Sequence, residues 1–184
     1  MSGSRVSSES LEAVFLGLGS NLGDRLGYLA RGLRSLTAGG LVIERISEVV
    51  ETPAIGHEDQ PPFLNLVVEG CWGGTPEALM SLMGQVERDS GRERPFPNAP
   101  RTLDVDLIFF GDRILRMPDL RVPHPRWKDR SFVVQPLQNL AASFRDPETG
   151  LTVEEIGHAF TQEPVEIVEV LEGRAFRWRE QENQ

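Results

Sequence analysis

Between Pro100 and Gly111 the chain reads Pro-Arg-Thr-Leu-Asp-Val-Asp-Leu-Ile-Phe-Phe-Gly, and this stretch constrains the fold more than any other. Leu103, Val105 and Leu107 fall on one face of an extended segment; Thr102, Asp104 and Asp106 fall on the other. The run then becomes apolar at Ile108, Phe109 and Phe110, as a strand does on entering a core. Two carboxylates two residues apart on one strand face are costly neighbours, because like charges repel and desolvation sharpens the cost. Such a pair either lies on a solvated acidic face or shares a hard cation, and the pattern alone permits both. Arg101, just before the strand, adds a base beside the two acids and suggests a site for metal and phosphate.

The elements around this strand follow in a definite order. Residues 13–18 form a short apolar run that ends in Gly19-Ser20-Asn21-Leu22-Gly23-Asp24, a strand followed by a turn. Leu22, Leu26, Leu29, Ala30, Leu33 and Leu36 recur at helical spacing, with Asn21 or Asp24 as cap, and Gly39-Gly40 stops the helix. Residues 41–51 suit a second strand, and a long loop follows from Thr52 to Phe63. Residues 64–72 are a third strand. Thr75 then caps a helix that has Pro76 in its first position and ends near Gly91. Residues 92–101 are irregular, and the acidic strand comes next.

This order, strand-helix-strand-strand-helix-strand, is the α+β plan of a ferredoxin-like βαββαβ core: a mainly antiparallel sheet with helices packed on it. After it, Ile114-Leu115 begins a short return strand, residues 122–125 are extended, and helices are expected over 130–142 and 152–160. Residues 165–170 alternate in part and read as an added edge strand. The expected organisation is a disordered segment over 1–12, one domain over 13–160, and an extension over 161–184 packed on the same domain.

The 184 residues carry a formal net charge of −9, which counts against a nucleic-acid-binding surface. No apolar run reaches the length of a membrane span, and the first dozen residues lack the apolar centre of a secretory signal. Cys71 is the only cysteine, so no internal disulfide forms, and its apolar setting reads as core. A cytoplasmic protein is expected, free of nucleic acid and membrane, as a monomer or weak homodimer.

Against that negative balance, two basic clusters flank the acid pair: Arg92, Arg94 and Arg101 before it, and Arg126, Lys128 and Arg130 after His124. Guanidinium forks bind phosphate oxygens, and carboxylates hold the magnesium that bridges them. Phosphoryl transfer requires this combination of positioning and charge stabilisation. The Gly17-Leu18-Gly19-Ser20-Asn21-Leu22-Gly23 cluster lacks the lysine of a P-loop and reads better as a tight turn lining a site than as a phosphate cradle. A nucleotidyltransferase pairing of Gly-Ser turn with Asp-x-Asp fits poorly, since two further strands separate the motifs.

Five segments occur in one order: Gly19-Ser20-Asn21-Leu22-Gly23-Asp24; Thr52-Pro53 with Phe63-Leu64-Asn65; Gly91-Arg92-x-Arg94; residues 100–107; and Val122-Pro123-His124-Pro125-Arg126 through Arg130-x-Phe132. Together they closely resemble the 6-hydroxymethyl-7,8-dihydropterin pyrophosphokinase family of folate biosynthesis. The resemblance implies transfer of pyrophosphate from ATP to the hydroxymethyl oxygen of the pterin, with two magnesium ions on Asp104 and Asp106. It assigns Arg92 and Arg94 as mobile-loop residues that close on the phosphates. It gives Glu87, Arg101, Leu107, His124 and Arg130 to ATP. Phe63 and Phe132 would sandwich the pterin, and Thr52, Ala54, Ile55 and Asn65 would read its edge. A loop tryptophan common in relatives is absent, with Phe96 and Asn98 in its neighbourhood. Ala54 replaces a common proline, and Pro125 stands where some relatives have tyrosine. The alternative is a non-catalytic ferredoxin-like module that binds nucleotide or pterin.

Overall fold

The structure is a computed structural model and describes residues 11–54, 59–91, 99–158 and the backbone of 166–169. The elements are β1 (Glu12–Ser20), α1 (Arg25–Ala38), β2 (Val42–Ile46), β3 (Val49–Thr52), β4 (Phe63–Trp72), α2 (Pro76–Asp89), β5 (Asp104–Phe110), β6 (Leu115–Arg116), β7 (Arg121–Val122), α3 (Ser131–Ala141), α4 (Val153–Gly157) and β8 (Glu166–Glu169). The sheet runs β5-β1-β4-β3-β8, with β2 also on β4, and all its pairings are antiparallel. This is the expected ferredoxin-like sheet, extended at one edge by β8.

The strand alternation decides what lies on each face. Val14, Leu16, Leu18, Leu64, Leu66, Val68, Leu103, Val105 and Leu107 pack against Leu29, Leu33 and Leu36 of α1 and Leu79, Met83 and Val86 of α2. On the opposite face Phe15, Val67, Ile108 and Phe109 pack against Val133, Val134 and Leu137 of α3, with Trp127 alongside. Each fully buried aliphatic side chain contributes about 1.5–3 kcal/mol, so both faces are closed by burial of ordinary magnitude.

Local chemistry sets the helix starts. Asp24 caps α1 by accepting from the Gly27 amide at 3.0 Å, and Thr75 caps α2 by accepting from the Ala78 amide at 3.2 Å. Gly91 closes the end of α2 with a φ of 74°, a conformation that favours glycine.

Several expectations are corrected. Leu22 precedes α1, and Leu26 is exposed, so the buried stripe of α1 begins at Leu29. The strand expected over 41–51 is broken into β2 and β3. At the break, the Ser47 amide donates to the Val67 carbonyl at 2.9 Å, and the Ser47 hydroxyl accepts from the Val67 amide at 2.9 Å. A side chain thus takes over one rung of the ladder, which a propensity reading cannot foresee. Cys71 is half-buried and not in the core; burial and the neighbouring Glu44 and Glu69 raise its thiol pKa. Helix α4 spans only Val153–Gly157 of the expected 152–160, of which 159–160 lie outside the described residues. No helix among the described residues is long and apolar enough to cross a membrane.

Candidate active site

Strand β5 delivers both aspartates to one face, as its alternation requires, while Val105 and Leu107 turn into the core. Across the ladder, Asp106 pairs with Gly17 and Asp104 with Gly19. The glycines are therefore part of β1 and form the floor of a cleft. The turn expected over 17–23 is confined to its last residues, where Gly23 has a φ of 59°. A phosphate cradle over the whole cluster is excluded by the strand.

Two cavities, of about 220 and 340 Å³, meet at the aspartates. The first is lined by Gly17, Gly19, Thr52, Ala54, Phe63, Asn65, Trp127 and Phe132. Met80, Met83, Gly84 and Glu87 of α2 line the second. Arg101, Asp104, Asp106, Arg126 and Arg130 border both.

Each aspartate is held by an arginine, and each arginine lies over a phenylalanine. Arg130 Nη1 donates to Asp106 Oδ2 at 2.9 Å, with its guanidinium carbon 5.7 Å from the centre of the Phe132 ring. Arg101 Nε lies 3.3 Å from Asp104 Oδ2 as an ion pair without hydrogen-bond alignment, and its guanidinium carbon is 5.2 Å from the Phe63 ring centre. Both ion pairs are about one-quarter exposed, so they order the site more than they stabilise the fold.

His124 Nε2 lies 3.9 Å from Asp106 Oδ2, while Nδ1 accepts from the Arg126 amide at 3.1 Å. That bond leaves the proton of the neutral ring on Nε2, facing the aspartate. Burial, the largest effect, outweighs the attraction of Asp106 and lowers the His124 pKa below its ordinary value. The ring is therefore neutral near pH 7 and able to donate from Nε2.

Asn65 is buried and donates from Nδ2 to the Thr52 hydroxyl at 3.0 Å. A Cβ on Gly19 would meet Asn65 Oδ1 at 2.9 Å, so the glycine makes room for this amide. The carboxamide is held by Thr52 beside two aromatic rings, an arrangement suited to the edge of a flat heterocycle.

The expected residues are not all brought together alike. Thr52, Ala54, Phe63, Asn65, Arg101, Asp104, Asp106, His124, Arg130 and Phe132 converge on the first cavity. Glu87 lines the second, but its buried carboxylate accepts from the Val105 amide at 2.8 Å, tying α2 to the acidic strand. The Leu107 side chain packs in the helix-side core, on the face opposite the aspartates, leaving only its backbone for a ligand. Lys128 does not join the basic cluster: its ammonium group donates to buried Asp146 at 2.7 Å. Ile55, Arg92, Arg94, Phe96 and Asn98 lie outside the described residues.

Sequence reasoning missed two features. Trp127, 1% exposed, packs edge-on to Phe109 with ring centroids 5.0 Å apart and walls the cleft. Asn21, read as a candidate helix cap and as part of the Gly-Ser-Asn turn but given no partner, exchanges two hydrogen bonds with the Arg101 backbone and donates to Gln60 Oε1 and the Pro61 carbonyl. Its position in the Gly-Ser-Asn turn was the only local signal, because its partners lie far along the chain.

No group of three or more His, Cys, Asp and Glu side chains among the described residues is arranged to hold a metal. Two carboxylates nevertheless suit magnesium, which binds through one or two of them together with substrate phosphates. Opposite Asp106, Gly17 carries no side chain, and within 4 Å of its Cβ position lies only the Ile108 side chain, which leaves room beside that carboxylate.

The family model for 7,8-dihydro-6-hydroxymethylpterin-pyrophosphokinase matches residues 15–142. The 2-amino-4-hydroxy-6-hydroxymethyldihydropteridine pyrophosphokinase of Aquifex aeolicus is 37% identical over 137 residues, which cover 74% of this chain and 85% of that protein. Its Bacillus subtilis namesake is 35% identical over 145 residues, covering 78% and 87%. A folic acid synthesis protein of Pneumocystis carinii is 33% identical over 142 residues; the match covers 77% of this chain but only 19% of that protein. A crystal structure of Plasmodium falciparum HPPK-DHPS with pteroate superposes with a TM-score of 0.65 at 12% identity, covering 84% of this chain and 44% of that one, and so shares the fold. On the family match and the relatives matched over most of their length, the chain belongs to the 7,8-dihydro-6-hydroxymethylpterin-pyrophosphokinase family.

Proposed function

We propose that this cleft transfers the terminal pyrophosphoryl group of ATP to the hydroxymethyl oxygen of 6-hydroxymethyl-7,8-dihydropterin, as a step of folate biosynthesis. The observation that carries the reading is the seat of Asp104 and Asp106 where an aromatic cavity meets a second one lined by α2. The pterin lies in the first cavity between Phe63 and Phe132, with Asn65 and Thr52 at its edge and Ala54 beside it. ATP lies in the second, reaching the aspartates with its β- and γ-phosphates.

The carbinol oxygen forms a bond to the β-phosphorus, the bond from that phosphorus to the oxygen of the α-phosphate breaks, and AMP leaves with the electron pair. The carbinol proton is released, so the products are the pterin diphosphate, AMP and a proton. Asp104 and Asp106 would hold two magnesium ions, which would supply charge neutralisation and orientation. Arg101 and Arg130 turn from the aspartates toward phosphate oxygens, His124 donates from Nε2, and the resemblance gives Arg92 and Arg94 to the phosphates as well. Glu87 supports the nucleotide side through its bond to β5, and Leu107 contributes backbone alone. Closure of the cleft excludes water and aligns the carbinol with phosphorus.

The test is AMP release by the purified chain with ATP, magnesium and the hydroxymethyl pterin, each omitted in turn. AMP that depends on the pterin is expected. Folded protein that yields none overturns the assignment and leaves a binding module.

A further inference from the structure

We infer that Arg25 is a positioning residue for pterin binding, acting through the aromatic face of Phe63. The inference rests on Phe63 being a stacking partner of the pterin. Arg25 is the first residue of α1, whose first turn contains no acidic residue. A cation at the positive end of a helix is unfavourable for that helix, so its compensation comes from elsewhere.

Its contacts supply it. Arg25 Nη1 donates to Glu51 Oε2 at 2.8 Å and to the Pro62 carbonyl at 2.8 Å. Glu51 lies on β3, one residue before Thr52, and Pro62 immediately precedes Phe63, the residue paired with Thr52. One nitrogen thus fastens the strand entering the long loop to the strand leaving it, at the level where both enter the first cavity.

The sequence explains why a side chain is needed there. Pro61 and Pro62 have no backbone N–H, so that end of the loop cannot be secured by donating to a neighbouring strand. Their carbonyls are taken instead by side chains from the segment after β1: Asn21 Nδ2 holds Pro61 O at 3.2 Å, and Arg25 holds Pro62 O. Arg25 has the shorter bond, carries charge, and acts on the peptide that sets the start of Phe63. It borders neither cavity. Its effect on the reaction therefore passes through the loop end and the ring.

The experiment is a double-mutant cycle on Arg25 and Phe63. Pterin affinity is measured with a nonhydrolysable ATP analogue and magnesium present, and analogue affinity is measured separately. Arg25→Ala weakens pterin binding about tenfold, the worth of one charge-assisted hydrogen bond, and leaves analogue affinity within about twofold. Arg25→Lys, which keeps one charged donor and serves if the alanine variant folds poorly, recovers part of the loss. In a Phe63→Ala background, Arg25→Ala has little further effect, because the group through which it acts is gone. Additive losses, or equal losses for pterin and analogue, overturn the inference and leave Arg25 a general structural residue. If Phe63→Ala alone leaves pterin affinity unchanged, the stacking role fails, and the inference falls for that separate reason.

Discussion

Asp106 lies opposite Gly17 across the β1–β5 ladder, so the side chain that would flank one carboxylate is absent. Gly19 stands in the same relation to Asp104. Directly paired residues place their Cβ atoms ~4.5–5.5 Å apart, close enough for any larger residue to occupy the space beside the acid. The glycines and the aspartates are thus one device spread over two strands.

The two glycines make separable predictions. A Cβ on Gly17 meets Ile108 Cδ1 at 3.5 Å, an ordinary contact, so Gly17→Ala folds with stability within about 0.5 kcal/mol of the parent. Its effect is a lower kcat. A Cβ on Gly19 meets Asn65 Oδ1 at 2.9 Å and forces the amide away from Thr52. Gly19→Ala therefore raises the pterin KM about tenfold, the worth of one hydrogen bond to the ligand, while the ATP KM stays near the parent value. Steady-state kinetics with each substrate varied check both; an unchanged pterin KM in Gly19→Ala removes Asn65 from recognition.

Asp104→Asn and Asp106→Asn keep the shape of the site and remove its charge. Turnover falls by ~10²–10³, the loss typical of deleting one preorganised electrostatic contact. Thermal stability changes by less than about 1 kcal/mol, because the ion pairs to Arg101 and Arg130 are partly exposed. AMP release and melting curves on the same samples separate the two effects. A variant that keeps half its activity takes that aspartate out of the metal seat.

The acid pair was legible because strand alternation needs no tertiary information: Val105 and Leu107 fix the buried face, and the aspartates follow. Thr75-Pro76 was legible for a similar reason, since cap and first helical turn are neighbours in sequence. What could not be read depends on distant partners. The break at Ser47 is made by Val67, the holding of Arg101 by Asn21, and the loss of Lys128 from the phosphate cluster by Asp146. Gly17 and Gly19 look like a turn until β5 is known to lie beside them. Local pattern conveyed the elements and the chemistry; the long-range side-chain bonds joining the loops to the sheet left no periodic trace.

Ser47→Ala tests one of those distant bonds. It leaves the buried Val67 amide without its acceptor, which costs about 1–3 kcal/mol. The melting temperature falls by ~2–4 °C for each kcal/mol in a chain of this length. Ser47 lines neither cavity, so kcat and both KM values at 25 °C remain those of the parent. A melting temperature within a degree of the parent means that the ladder closes without the hydroxyl.

The start of α4 gives a pH-dependent prediction. The Thr152 amide and hydroxyl donate to Glu155 Oε2, while the Thr152 hydroxyl accepts from the Glu155 amide. The backbone bond is the larger cause that lowers the Glu155 pKa below 4.5, with the hydroxyl second. The unfolded chain then takes up this proton first as pH falls. The stabilisation is complete above about pH 4.5 and is lost as pH falls through the lower folded value. Urea midpoints of Glu155→Ala lie below those of the parent at pH 7, and the gap narrows at pH 3.5. Glu155→Gln, whose carbonyl still accepts from Thr152, lies closer to the parent at pH 7, and because glutamine does not titrate its difference from the parent shifts over the same pH range; a difference that stays constant with pH for either variant contradicts the assignment.

Arg130 is the residue at which geometry and charge are hardest to separate, and Arg130→Lys separates them. The guanidinium donates to Asp106 at 2.9 Å while it lies over the Phe132 ring, and it borders both cavities. Lysine retains the charge, but its compact ammonium group lacks the planar fork that stacks and donates together. If charge alone mattered, Arg130→Lys would keep most of the activity. The planar role instead predicts a fall in kcat/KM of about tenfold to a hundredfold for both substrates, since the phosphate and the aromatic wall lose the same group. Arg130→Ala should be only slightly worse. A lysine variant within threefold of the parent shows that the positive charge suffices and that the stack on Phe132 is incidental.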